Sequence, residues 1–493
     1  MSKSCRVWLT VWALMSAGML PAQVLARPGW AGSGVSAESW WRRAVFYRIQ
    51  PKLFQDSDGD GVGDVQGIEQ RLGYVQQLGV DAIVLTPPFN EDEFSELARK
   101  AADFHLRVLA EMDKPDVAVA RNWLNQGAGG LVVDSDRDAV ALAAVRRVVA
   151  SFPGDRVLIV NSRTAMPTSG SAQLQRSAEF GNAPGDARSW HAKLEGAITN
   201  SDPTENLPLL VISGSAPLHG TLEAQAIEDR ALATMTLGSR AAVMFDAGRE
   251  LGLRSPDGTS VAVQWTPLNV TSEKAAPVAV TKPQPKAEVY GAFTPYIPPP
   301  KLSMSAPIAP VVVESANALP SDLNTLPGFT AAEVKVSAAV NGGAANAASE
   351  DEESSSLLNF YRHLIAMHHG NWSIRNGSQA MLNHDAQNAL VWVRRAPSGT
   401  RTTASVVFAI NATDQPVQLD LGHDFDALHM RGGTLRPLLT ASATEMLSSS
   451  GNLLPVETTD HVVLPSRTLF VGELYHDGSL PSAMHTRRSR RKH

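Results

Sequence analysis

One cysteine, Cys5, stands among 493 residues. A lone thiol cannot close a disulfide within the chain, so core packing must hold the fold, with a bound ion as the remaining aid. No apolar run reaches the roughly 20 residues of a membrane-spanning helix. The run nearest the N-terminus, Val7–Leu20, follows Lys3 and Arg6 and leads to Val24, Leu25 and Ala26. A charged start, a short apolar centre and a small residue read as an export signal over 1–26, cut near Ala26, which predicts a periplasmic or extracellular protein. Cys5 precedes the apolar run, the wrong side for a lipid-anchored cysteine. Basic excess is missing too: Lys and Arg number 43 against 49 Asp and Glu, for a formal net charge of −6. That balance argues against general nucleic-acid binding. The basic run Arg487–Lys492 reads as part of a solvated tail over 477–493.

Where charge is concentrated, it is acidic. Asp56, Asp58, Asp60 and Asp64 fall within nine residues, with Gly59, Gly61 and Gly63 between them. Calcium takes six to eight oxygens at about 2.3–2.6 Å, from carboxylates and carbonyls. The four carboxylates and the Val62 carbonyl meet that demand, for calcium or for magnesium in its place. Four such charges repel strongly without a cation. The alternative is an acidic, Gly-rich surface turn that binds nothing. The loop is not an EF-hand, because Glu69 lies out of register for the bidentate twelfth position.

From Val45 to about Gly248, short apolar runs alternate with amphipathic stretches. The runs are Val45–Ile49, Ala82–Leu85, Arg107–Met112, Gly130–Ser135, Val157–Asn161, Leu207–Ser213 and Ala241–Phe245. Strands alternating with helical patterns predict parallel βα units, and seven runs approach the eight of a (β/α)8 TIM barrel over 27–268. The sixth strand should lie between Met166 and Leu207, but no run marks it. From 269 to 354 proline, alanine, serine and valine dominate, ending in the acidic run Glu350–Glu353. Such a composition predicts a disordered insertion, with polyproline character at Pro298–Pro300, that could serve as an arm for a protein partner. A helix from Leu357 to Met367 closes the barrel within 355–388, carrying His363 and ending at His368 and His369. From 389 to 476 short strands separated by turn residues predict a small antiparallel β-sandwich.

The acidic loop has specific flanks. Trp40-Trp41 and Val45–Phe54 precede it; Gly67-Ile68, Arg71-Leu72 and Leu78–Pro87 follow. Together they resemble the opening of an α-amylase-family barrel, glycoside hydrolase family 13, of the α-glucosidase or trehalose-synthase type. The resemblance covers about 50 residues. It implies calcium at Asp56, Asp58, Asp60, Val62 and Asp64, a barrel followed by a small β-sandwich, and an α-glucan or small oligosaccharide as ligand. Further on, Glu250–Leu253 echoes the family's GEEIGM, and Val263-Gln264-Trp265 echoes its RTPMQWD.

The family's chemistry uses a nucleophile, an acid/base and a supporting carboxylate, after the fourth, fifth and seventh strands. The resemblance puts Asp134 at the nucleophile position, Asn161 at the acid position and Ser215 at the third. Val132 stands where the family has an arginine that steers the nucleophile. An amide supplies no proton at accessible pH, so the acid is lost along with the third carboxylate. Two family insertions are missing as well: the B domain after the third strand, since Val108–Pro115 runs directly into Val117–Leu124, and the GYDV segment after the second. Three readings follow. The first is an exported pseudoenzyme of carbohydrate metabolism that binds sugar or scaffolds, as the heavy chains of amino-acid transporters use the same barrel without its chemistry. The second is an active α-glucosidase or transglycosidase whose acid has moved to Glu111, Asp136 or Asp138. The third is a partner-binding protein working through the proline-rich insertion.

Overall fold

The computed structural model describes residues 39–134, 138–161, 172–181, 186–199, 207–213, 221–253, 261–265, 346–383, 388–396, 403–442, 446–448 and 457–475. The expected export signal, the basic tail, Asp136, Ser215 and most of the proline-rich segment lie outside them.

Eight parallel strands close into a barrel: β1 (Val45–Ile49), β2 (Ala82–Leu85), β3 (Arg107–Met112), β4 (Gly130–Val133), β5 (Val157–Val160), β6 (Leu174–Phe180), β7 (Leu207–Ile212) and β8 (Ala242–Asp246). β8 returns to β1 in parallel, with Tyr47 opposite Phe245. The sixth strand is Leu174–Phe180. Only its end residues are buried, so it carries no apolar run. Its pairing with β7 contains a bulge between Arg176 and Ala178, which blurs the period-two signal further.

Several barrel helices begin where the sequence supplies a cap, although α2 (Leu72–Leu78) starts at Arg71 with no side-chain cap. Asn90 and Glu93 form a reciprocal capping box for α3 (Glu91–Asp103). Asp116 caps α4 (Val117–Asn125), Asp138 caps α5 (Ala139–Ser151) and Thr221 caps α7 (Leu222–Leu237). In α3, Phe94, Leu97 and Ala101 repeat at helical spacing and bury one face against the barrel, while three acidic residues in its first turn suit the helix dipole. α7 is buried on nearly every side, because the helix Leu357–Gly370 and the C-terminal sheet cover what the barrel does not.

The C-terminal portion is antiparallel. Ser378–Leu382, Leu390–Arg395, Ser405–Asn411, Thr434–Ala441 and Thr468–Tyr475, with the short strands Met446–Ser448 and Glu457–Thr458, make the seven-stranded main sheet, and Val417–Leu419 pairs with Val462–Leu464 in a second, two-stranded sheet. Val391, Val393, Val407, Ala409, Leu419, Leu464 and Phe470 share the core between them. The main sheet docks on the barrel by satisfying the end of α7. The last carbonyls of a helix have no partner of their own; here Gly238 O accepts from Trp392 Nε1 at 3.3 Å and Arg394 Nη1 at 3.2 Å. Trp392 in turn stacks on Phe408 at 4.8 Å.

Two boundaries differ from the sequence reading. Residues 346–354, expected in the insertion, are ordered: Asn346 caps the helix Ala347–Glu352, whose amides at Ala347 and Ala348 donate to Gln264 O and Trp265 O. Glu350 then accepts from Leu357 N, joining this helix to the next. A capping asparagine and a backbone tie are local features that the surrounding alanines and serines hide. The strand Ser378–Leu382, placed by sequence with the closing helix, belongs to the sheet, where Val391 pairs with Leu382.

Candidate active site at the barrel mouth

Alternation along the barrel strands decides which side chains face the axis. Phe46, Val84, Leu109, Val132, Ile159, Leu174, Val211 and Met244 belong to one buried cluster, the barrel interior. One further step of two residues along each strand reaches Arg48, Thr86, Glu111, Asp134, Asn161, Arg176, Ser213 and Asp246. Seven strands therefore end their inward phase on a polar residue at the C-terminal face, where barrels of this kind place their chemistry, while β6 runs on past Arg176 through its bulge, which brings Glu179 level with Val211 of β7.

Three charged members of this ring, Arg48, Asp246 and Glu111, are linked. Arg48 donates to both Asp246 oxygens, Nε to Oδ1 at 2.6 Å and Nη2 to Oδ2 at 2.9 Å, a bidentate pair. Its Nη1 lies 3.7 Å from Glu111 Oε1, beyond a hydrogen bond. Thr86 Oγ1 donates to Glu111 Oε2 at 2.8 Å. Burial works against the charge on Arg48, but Asp246, Glu111 and Asp134 outweigh it and hold the guanidinium protonated. Burial raises the Glu111 carboxyl above its ordinary value; Arg48 and Thr86 offset part of this, while Asp134 and Asp246 add to it.

Asp134 is exposed at the mouth, its amide bonded to Met112 O at 3.2 Å. Asn161, expected at the acid position, is 1% exposed, and its Oδ1 has no hydrogen-bond partner among the described residues. A buried unsatisfied acceptor of this kind costs about 1–3 kcal/mol. Ser213 donates to Phe180 O at 3.3 Å. Asp138 Oδ1 accepts from Ala141 N as the cap of α5, a bond within that helix's own first turn. The chain passes from Met112 to Val117, and from Leu85 to Glu91, through short connections with no domain between. Sequence reading missed Arg48, Thr86, Arg176 and Asp246. Counting by two beyond each apolar run would have found most of them.

The acidic loop lies beside this face, between β1 and α1 (Val65–Gln70). Asp56, Asp58 and Asp64 bring carboxylate oxygens within 4.8 Å of one another. Asp60 is outside that group, and its Oδ1 accepts from Val62 N at 2.7 Å. Asp56 accepts from the amides of Gly59 and Gly61. Slight burial opposes its charge, but those amides prevail and hold its carboxyl below the ordinary value. Gly59 and Gly61 adopt φ of 85° and 88°, the left-handed region that permits this curl. Three convergent carboxylates fit a hard cation. The histidines do not join such a group: His368 is buried between Leu237 O and Arg43 O, its ring pushed down to about 4 by burial, and His369 faces Asp81 at 3.4 Å.

Elsewhere, Glu250 is fully buried and accepts from Tyr47 and Tyr74 hydroxyls at 2.6 and 2.7 Å. It braces the outer side of β1, and Trp265 packs edge-on against Phe54 and Tyr74 beside it. The two stretches after β8, Glu250–Leu253 and Val263–Trp265, thus serve packing.

Residues 48–101 match the family described as "Alpha amylase, catalytic domain". Maltase A2 of Drosophila melanogaster is 50% identical over 56 residues, 11% of this chain and 10% of that protein. Trehalose-6-phosphate hydrolase of Escherichia coli (strain K12) is 32% identical over 109 residues, 18% of this chain and 20% of that one. By sequence, then, the chain spans at most about a fifth of these curated relatives. By fold the likeness is broader. Isomaltulose synthase from Klebsiella sp. LX3 superposes with a TM-score of 0.60 at 13% identity, over 89% of this chain and all of that one. A trehalulose synthase mutant in complex with sucrose gives 0.59, again at 13% identity, over 88% of this chain and 99% of that one.

Proposed function

From a closed barrel whose residues 48–101 match an α-amylase catalytic domain, we propose a protein of α-glucan metabolism that takes an α-glucosidic sugar at the barrel mouth and cleaves it far below the rates of an intact family site. The observation that carries this reading is Asn161. It occupies the strand-five position, is buried, and leaves Oδ1 unpaired. An amide there cannot protonate a leaving oxygen, yet an unpaired acceptor suits a sugar hydroxyl. Loss of general-acid assistance typically forfeits a factor of about 10²–10⁴. Glycosidase chemistry of either stereochemistry needs two carboxyl groups flanking the bond. Of the family's acid pair, Asp134 is the member that remains.

Calcium belongs to the same proposal. Asp56, Asp58 and Asp64, with the Val62 carbonyl and Asp60 completing the set, would hold it next to β1, where it would fix the loop and supply no chemistry. Export through residues 1–26 fits a cysteine-poor chain held by packing and an ion.

The test is turnover and binding side by side. Maltose should bind measurably by calorimetry, while its hydrolysis stays near background. A nitrophenyl α-glucoside, whose leaving group needs no proton, should turn over slowly and lose that turnover in Asp134→Ala. Brisk maltose hydrolysis would refute the loss of function, and absence of sugar binding would refute the site.

A further inference from the structure

We propose that Arg48 and Glu111 form a preorganised hydroxyl clamp at the barrel mouth, selecting an uncharged sugar that carries two adjacent hydroxyls. This deepens the reading above and rests on it, since it names what holds the sugar that the mouth admits.

Each member of the clamp is pinned by a partner other than its mate. Arg48 ends in a planar fork, and Asp246 takes its Nε at 2.6 Å and its Nη2 at 2.9 Å. That bidentate grip fixes the plane of the guanidinium, and with it the direction of the third nitrogen, Nη1. Glu111 is held from the far side, where Oε2 accepts from Thr86 Oγ1 at 2.8 Å. The inner atoms, Nη1 of Arg48 and Oε1 of Glu111, are left 3.7 Å apart, and neither makes a hydrogen bond among the described residues. A charge-assisted contact normally closes to about 2.7–2.9 Å. Here the outer partners hold it open. Both side chains also reach solvent, Arg48 with 24% of its side-chain surface exposed and Glu111 with 8%.

The gap therefore offers a donor and an acceptor side by side. A hydroxyl answers both, because it accepts on a lone pair and donates its own proton. A polar pair more than about 3.5 Å apart is the place for a bridging oxygen. Neighbouring hydroxyls of a pyranose bring two such oxygens together: one accepts from Nη1, and the next donates to Oε1. Both bonds are charge-assisted, and neither side chain needs to be ordered on binding, which removes a usual cost of association. A phosphate or carboxylate does not suit the place. Asp246, Glu111 and Asp134 already act on the one guanidinium, so an added anion meets three carboxylates around a single cation.

The experiment uses the full chain and reads affinity instead of turnover. Maltose is titrated by calorimetry, and methyl α-glucoside and its four monodeoxy derivatives by NMR, into wild type, Glu111→Gln and Arg48→Lys, with melting curves to show that each variant is folded. Each variant should weaken maltose binding by about 10–100-fold, the worth of a hydrogen bond to a charged group. In wild type, the two sugars lacking one or the other of a pair of adjacent hydroxyls should lose affinity, and the remaining two should not. Glu111→Gln should erase one of those two losses, because the partner of that hydroxyl has already gone. A merely structural role does not produce such coupling. The wild-type deoxy series decides the matter alone if a variant does not fold. Maltose bound by wild type, with affinity unchanged in both variants, would overturn the clamp and leave the sugar site standing. So would equal losses for every deoxy sugar, or tighter binding of glucose 6-phosphate than of glucose. Absence of maltose binding to wild type would remove the sugar site and the clamp together.

Discussion

Arg249 and Asp229 form a buried ion pair whose removal should have opposite effects depending on how it is done. Arg249, in the turn after β8, is fully buried, and Asp229 on α7 is 3% exposed; a single contact joins them, Nη2 to Oδ1 at 3.0 Å. Nε and Nη1 of Arg249 have no partner among the described residues. The buried guanidinium thus carries its desolvation with two nitrogens unbonded, the situation in which Coulombic gain fails to cover the loss of water. Asp229→Asn keeps the shape and strands the guanidinium. The expected loss is about 3–5 kcal/mol. At about 2–4 °C per kcal/mol for a domain of barrel size, the melting temperature should fall by about 6–20 °C. Arg249→Met should cost less, because Asp229 keeps the field of Arg230. The double variant Asp229→Leu, Arg249→Met should be neutral or more stable than wild type by about 1–4 kcal/mol. Urea unfolding of all four proteins gives the cycle, provided the m-values agree. An Asp229→Asn loss under about 1 kcal/mol, or a double variant as unstable as the single, would show that the pair is solvated or otherwise compensated and that the reasoning is wrong.

Chelator should lower the melting temperature, since a ligand held at 100 times its Kd adds about 2.7 kcal/mol; Asp58→Ala should abolish that sensitivity and Asp60→Ala only weaken it, and equal effects would contradict the observed grouping of carboxylates. Asn161→Leu should leave stability unchanged or raise it, because it deletes an unpaired buried acceptor, yet weaken maltose binding in calorimetry; tighter binding would refute the role given to Oδ1. The raised Glu111 and Glu250 carboxyls bind protons more readily folded than unfolded, so their contribution to stability is full below the ordinary glutamate value and fades as pH rises through the raised one. Denaturation across that window should show the decline, and Glu111→Gln should flatten it.

Much of the fold was legible locally. Seven barrel strands announce themselves as buried runs of four to six residues, because a strand covered on both faces needs apolar side chains at every position. The acidic loop was equally plain: its carboxylates and glycines lie within nine residues, and the chemistry of a hard cation asks for that density. β6 was not legible, since its middle residues are Gln175, Arg176 and Ser177 and a bulge interrupts its phase. The C-terminal sheet was readable as strands, but the docking of Trp392 and Arg394 on Gly238 joins residues more than 150 positions apart and has no local sign.

The mouth divides along the same line. Sequence alone determined that Asp134 and Asn161 end their strands in the inward phase, because alternation is a property of the backbone. What surrounds them was decided by closure of the barrel. Arg48 meets Asp246 across 198 positions because β1 pairs with β8, and Glu111 lies beside Asp134 because β3 pairs with β4. Burial of Glu111, commitment of Asp246 and the unpaired oxygen of Asn161 are consequences of which strand ends share one rim. Those are contacts between distant residues, and no stretch of sequence short enough to read holds both partners.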